Sequence, residues 1–325
     1  MTVRLAVPRP LRRASQRVML GAIGMQANRT ARRGRVTAFE VQVLRLGTEL
    51  LLSMPWMRAD RGAAVAQVMA KHGGGQVRGE WVEALGVNTR DSSAVLYLHG
   101  GAFLFGSPRT HRGMVAELSR LSGRSVFSVD YRLAPRHWFP AAADDALRAY
   151  SWLLACGIPA DGIVVAGDSA GGHLALGLSP RAGRAALPTP AGIVALSPVV
   201  DLAMELSKGV TDPSMPRVDL VGFARVLVRP YVGDTAVDHP ELLLTKDDLA
   251  GMPPVLLHAS ADEIFAADAQ HYADALRAAG GTIDLKLWPR RAHVFQLQFH
   301  NSRVAATALQ EIADFVAERT SPRVR

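Results

Sequence analysis

The sequence predicts an α/β protein with a mostly parallel central sheet flanked by helices. Three observations predict it. From residue 76 onward, short β-rich runs alternate with helix-length, Ala-rich stretches, the pattern of βαβ units. Several of those runs are continuously apolar, as strands covered on both faces must be. The 325 residues are 49% hydrophobic and 20% charged, which supplies a sizeable core and excludes global disorder.

Each element has its own justification. Residues 12–25, 39–54 and 61–71 read as helices. The second stops before Pro55 and the third at Gly73-Gly74-Gly75, which marks a boundary between a helical segment (1–75) and the sheet domain (76–325). Strands are expected at 77–84, 94–99, 125–130, 162–167, 192–197, 254–259 and 283–288. Helices are expected at 110–122, 141–156, 169–178, 266–279 and 301–319. Pro180 ends the fourth strand's helix early, and 181–190 reads as irregular. About 55 residues separate the strands at 192 and 254, more than one crossover needs, so a helical insertion is expected at about 203–232. The single cysteine, Cys156, excludes an intrachain disulfide framework and a cysteine-built metal site, and reads as a small core residue.

The formal net charge of +8 is unevenly placed. Residues 1–39 hold nine Arg and no acid, and the remainder holds 28 basic residues against 29 acidic ones. A neutral body argues against a nucleic-acid-binding domain. No run approaches the ~18 apolar residues of a membrane span. The Arg-rich start leaves three readings open: peripheral contact with an anionic membrane, an export signal built on Arg12-Arg13 and the apolar run 18–25, or a solvated helix face. The cytoplasm is the expected location, with export or a membrane surface as the alternatives. A homodimer is also left open.

Two motifs carry chemistry. Gly167-Asp168-Ser169-Ala170-Gly171 fits G-x-S-x-G between an apolar strand and a helix, the setting of a nucleophile elbow. The helix N-terminus behind Ser169 aims free N–H groups at developing negative charge. His99-Gly100-Gly101-Ala102-Phe103 follows the strand at 94 and can present N–H groups inward. Gly100, Gly101 and Ala102 with Ala170 are the expected oxyanion-hole donors. His99 is expected to orient that loop and Asp168 to organise the elbow.

Together with Asp130-Tyr-Arg-Leu-Ala-Pro135 and Phe139-Pro-Ala-Ala142, these motifs resemble the bacterial hormone-sensitive-lipase-like esterases of the α/β-hydrolase superfamily, in the subgroup with Gly-Asp-Ser-Ala-Gly. The resemblance implies an α/β-hydrolase fold, carboxylic ester hydrolysis of small-molecule substrates, a Ser-His-Asp triad and no cofactor or metal. It also implies a helical cap built from the N-terminal segment and the insertion. Triad order on this fold is Ser, acid, His. His293, in the turn after the last strand, is expected as general base rather than His300. The family's acid position matches Asp262, with Glu263 the near rival and Asp268 a helix residue. The family usually has Glu where Arg136 stands, so an ion pair near the site is expected to be rewired. Pocket walls are sought among Met54, Trp56, Phe103, Phe223, Val294 and Phe295. Short-to-medium acyl esters are the expected substrates. Longer lipids, amides or lactones, and a non-catalytic binding module are the alternatives.

Overall fold

The computed structural model describes residues 27–52, 62–213, 217–236, 239–245 and 249–321. The helix expected at 12–25 lies outside the described residues, as do Met54 and Trp56. Eight strands form one sheet: β1 (Ala64–His72), β2 (Gly75–Glu83), β3 (Ala94–Leu98), β4 (Ser125–Val129), β5 (Ile163–Asp168), β6 (Gly192–Leu196), β7 (Val255–Ser260) and β8 (Ile283–Trp288). Their order is β1-β2-β4-β3-β5-β6-β7-β8. β1 and β2 pair antiparallel, as do β2 and β4, and every other pairing is parallel.

The first strand corrects the sequence reading. Residues 61–71 were expected as a helix, yet 64–72 form β1. Ala66, Val68 and Ala70 pack on the core at a spacing of two, the strand period. Gly73 and Gly74, both at positive φ (53° and 73°), make the two-residue hairpin turn to β2. The glycines therefore turn a hairpin rather than stop a helix.

A helical stretch at 27–33 precedes the helices α1 (Ala38–Leu52), α2 (Pro108–Ser122), α3 (Ala141–Ala155), α4 (Ala170–Arg184), α5 (Leu220–Val232), α6 (Ala266–Ala278) and α7 (Arg303–Arg319). Alternate residues of the central strands face opposite layers. Leu96, Phe127, Val165, Ala195 and Leu257 join the core under α3, α4 and α6. Val95, Val126, Val164, Val194 and Leu256 join the core under α2 and α7. Two further expectations are corrected. α4 runs through Pro180 to Arg184, its last turn held by Arg181, which pairs with Asp144 and Glu241, and by Arg184 with Glu241 at 2.7 Å. Cys156 is exposed rather than buried, because α3 ends there and its side chain falls beyond the last buried turn.

α5 lies in the long connection between β6 and β7. Its start is joined to the N-terminal segment, where Asn28 Nδ2 donates to Arg217 O (2.9 Å) and Asp219 N donates to Asn28 Oδ1 (2.8 Å).

Candidate active site

The parallel strands deliver the site at their C-terminal ends, where ligands of open α/β sheets sit. β5 runs into Ser169, whose φ of 53° and ψ of −116° put it in a sharp turn before α4. That turn requires glycine beside it: a Cβ on Gly171 would stand 2.0 Å from Leu98 O. Ser169 Oγ donates to His293 Nε2 at 2.9 Å. His293 stands in the turn after β8, between Arg290 and Val294, both at positive φ.

The acid differs from the sequence expectation. His293 Nδ1 donates to Glu263 Oε2, not to Asp262. Glu263 is 2% exposed, and its other oxygen accepts from Ser197 Oγ (2.6 Å) and Ser260 N (2.8 Å). Those two bonds fix the carboxylate with one oxygen aimed at the imidazole. Asp262 points the other way, and its Oδ2 accepts from Arg290 N at 2.5 Å. It braces the turn that carries His293 without touching the ring. Desolvation pulls the His293 pKa down, but the charge and hydrogen bond of Glu263 override it. With Asp168 and Asp212 adding to the effect, the pKa lies above the ordinary imidazole value of 6.5.

His99–Ala102 leads out of β3. Gly100 N donates to Asp168 Oδ1 at 2.9 Å, so this amide is committed to the protein and is not free for an oxyanion. That corrects its expected role. A Cβ on Gly100 would stand 2.1 Å from Asp168 Oδ2, so the close approach demands glycine. Gly101, Ala102 and Ala170 line the same cavity as Ser169 and His293. His99 Nδ1 donates to Gly100 O (2.8 Å), and its ring stacks on Tyr131 at 4.2 Å. Burial, then the charge of His111, push its pKa to about 3, so it is a neutral prop for the loop.

Asp168 is the centre of a buried network that sequence reasoning did not reach. Its Oδ1 also accepts from Tyr97 OH at 2.7 Å, and its Oδ2 lies 3.4 Å from His111 Nε2. Thr110 Oγ1 donates to Ser107 O (2.7 Å), which leaves it to accept from His111 Nδ1 (2.8 Å). Both nitrogens of His111 therefore face acceptors, the arrangement of an imidazolium. Burial opposes the charge on His111, but Asp168 outweighs it and raises the pKa. In return, burial would raise Asp168, and His111 and Tyr97 hold it below the usual carboxylate range.

The cavity over Ser169 has a volume of about 330 Å³. Phe223 and Val294, two of the expected walls, line it with Leu220, Leu227 and Val228 of α5 and its start. Phe103 does not; it is buried against Tyr231, ring centroids 3.8 Å apart. Phe295 packs in the core under α7. His300 packs against the neighbouring Phe299 ring, centroids 3.8 Å apart and tilted by 44°. Asp268 bonds Val200 N, Asp201 N and Ser207 Oγ, a structural role.

Residues 95–297 match the model of a family described by its α/β-hydrolase fold. The structure aligns with the crystal structure of EstE5 at a TM-score of 0.80 and 31% identity, over 88% of this chain and 94% of that one. It aligns at 0.79 and 30% with an esterase of the bacterial hormone-sensitive lipase family, over 91% and 97%. The chain belongs to the hormone-sensitive-lipase-like esterases of the α/β-hydrolase fold. Two relatives are the carboxylesterase/phospholipase LipF and the esterase LipU, both of Mycobacterium tuberculosis. LipF is 39% identical over 74% of this chain, a match that spans 66% of LipF's own length. LipU is 36% identical over 74% of this chain and 83% of its own. Among the described residues, no helix of this chain is long and apolar enough to cross a membrane.

Proposed function

We propose that the protein hydrolyses small carboxylic esters through an acyl-enzyme, with Ser169 as nucleophile, His293 as general base and Glu263 as the acid that orients it. The observation that carries this reading is the continuous relay Ser169–His293–Glu263 opening into the cavity. Ser169 Oγ attacks the ester carbonyl while His293 Nε2 takes its proton. The carbonyl oxygen becomes an oxyanion, which accepts hydrogen bonds from the amides of Gly101, Ala102 and Ala170, residues that line the cavity. The intermediate collapses, the C–O bond to the alcohol breaks, and His293 returns the proton to the departing alkoxide. A water then gives its proton to His293 and attacks the acyl carbon. Collapse of the second intermediate frees the acid and returns the proton to Ser169. Glu263 stays ionised throughout and stabilises the imidazolium.

A cavity of about 330 Å³ is at the small end of ligand pockets, and its walls are mostly apolar, which supports short-to-medium acyl chains. The N-terminal segment and the connection carrying α5 serve as the cap over it. The test is a panel of p-nitrophenyl esters of rising chain length beside matched amides, with Ser169→Ala as control. Turnover should peak at short-to-medium chains and vanish in the variant. Absence of ester turnover, or full activity in Ser169→Ala, refutes the reading.

A further inference from the structure

α1 is apolar on two faces. Inward, Val41 is buried and Leu44 packs on the core. Outward, Phe39, Val43 and Leu46 are 76%, 51% and 61% exposed. Their spacing of four and three places them in one stripe along the helix. An exposed apolar stripe is costly in water unless something covers it. Trp138, 60% exposed, lies over Gly233 at the end of α5. The turn bearing Trp138 is tied to α1, because Arg45 reaches across to Ala134 O at 2.8 Å. The end of α5 is tied to the same region through Arg229, which donates to Gly34 O at 3.4 Å.

The frame around this surface is basic. Arg29, Arg32, Arg33, Arg35, Arg136 and Arg229 are all exposed there. The acids nearby are Glu40, Glu49, Asp219 and Asp234, and Glu49 accepts from Ser107 Oγ. Glu40 is paired with Arg33 at 3.3 Å, and Asp219 caps α5 through Gly222 N. In sequence alone, residues 1–26 hold five further Arg and no acid. Arg136, which stands where the family usually has Glu, belongs to this surface; its charge is close enough to Arg45 to help lower that guanidinium's pKa, after burial.

We propose that this face, the Phe39–Val43–Leu46 stripe with Trp138 and its arginine frame, is a docking surface for an anionic lipid membrane. Aromatic and aliphatic side chains enter the boundary between headgroups and acyl chains, while arginines bond the headgroup anions. A second copy fits poorly, because pairing two such faces would bring like charges together. Docking would set the cap on the bilayer with α5 between lipid and cavity, so esters leaving the membrane would meet the site. The binding itself does not depend on the proposed catalysis.

The test is co-sedimentation of the full chain with phosphatidylcholine vesicles, with and without phosphatidylglycerol. Three proteins are compared: wild type, Phe39→Ser/Leu46→Ser, and Arg32→Glu/Arg35→Glu. Thermal melting and gel filtration check folding and oligomeric state. The wild type is expected to bind only the phosphatidylglycerol vesicles and to be released by salt. Each double variant should bind at least about tenfold more weakly, from the loss of apolar burial or of about one headgroup contact per arginine, while melting as the wild type does. Equal binding by all three proteins, no binding by the wild type, or a wild-type dimer that the Phe39→Ser/Leu46→Ser change converts to monomer would overturn the proposal.

Discussion

Exchanging Glu263 and Asp262 in turn separates a relay acid from a bracing one. In Glu263→Gln, the amide oxygen can keep the bonds from Ser197 Oγ and Ser260 N, so the site should stay folded. The amide NH₂ then faces His293 Nδ1, which must present a lone pair to it. The proton moves to Nε2, the nitrogen that has to accept from Ser169. The base is thus held in the wrong tautomer, a fault that costs roughly 10⁴-fold in kcat in a serine protease triad. The loss should fall on kcat with KM little changed, since the acid does not touch substrate. Asp262→Asn keeps an acceptor for Arg290 N, and the cost of weakening one such hydrogen bond is about 1 kcal/mol, or roughly fivefold. Steady-state kinetics on a soluble p-nitrophenyl ester reads both numbers. The pH profile adds a second readout. Against desolvation, the His293 pKa is raised from 6.5, chiefly by Glu263, so kcat/KM should fall as pH drops through a value above 6.5. In Glu263→Ala, desolvation is left without its main opponent, and the acid limb should move to lower pH. A loss in Asp262→Asn equal to that in Glu263→Gln, or an acid limb that does not move, refutes the assignment of Glu263.

The other predictions concern the frame of the site. The raised pKa of His111 means that its pairing with Asp168 stabilises the fold fully below pH 6.5 and progressively less as pH rises through the folded-state value. Urea unfolding of His111→Gln against wild type should therefore show a gap of about 3–5 kcal/mol in acid that narrows toward alkaline pH. Gly171→Ala should abolish activity or soluble expression, because its Cβ would sit 2.0 Å from Leu98 O, a backbone atom with no room to retreat. Arg45→Ala should lower stability by about 2 kcal/mol in denaturant titrations, as it removes charged donors from Leu104 O (2.6 Å) and Ala134 O (2.8 Å). Cys156 should react with a maleimide in the native protein to near one equivalent without denaturant, as an exposed thiol does.

The sheet and the elbow were legible because their signals are local. β3, β5, β6 and β7 are short apolar runs, and each emerges buried along its whole length. Ser169 and His293 stand where strand ends put them. What escaped was decided by contacts between distant segments. Ala-rich 64–72 has the composition of a helix, and only its pairing with β2 selects the strand. Asp262 and Glu263 are adjacent carboxylates, and sequence spacing cannot rank them. Ser197, 66 positions before Glu263, and the Ser260 amide choose between them by holding one and not the other. His111 offers no motif at all; it becomes part of the site when α2 packs beside the elbow and sets it against Asp168.

Those long-range contacts explain how the loop after β3 keeps its shape. Gly101, Ala102 and Phe103 have successive positive φ values of 124°, 53° and 60°, and the two non-glycines would pay about 1–2 kcal/mol each to stay there. Local bonds hold part of the turn, with Leu104 N and Phe105 N both donating to Gly101 O. Both of its ends are clamped from elsewhere. At one end Asp168, charged because His111 faces it, takes the Gly100 amide. At the other, Arg45 of α1 takes Leu104 O and joins it to Ala134 O. Glu49, one turn further along α1, accepts from Ser107 Oγ at the start of α2, the helix that carries His111. The same helix thus holds the C-terminal flank of the loop at two points while Asp168 holds the other, so α1 is a structural part of the proposed oxyanion site.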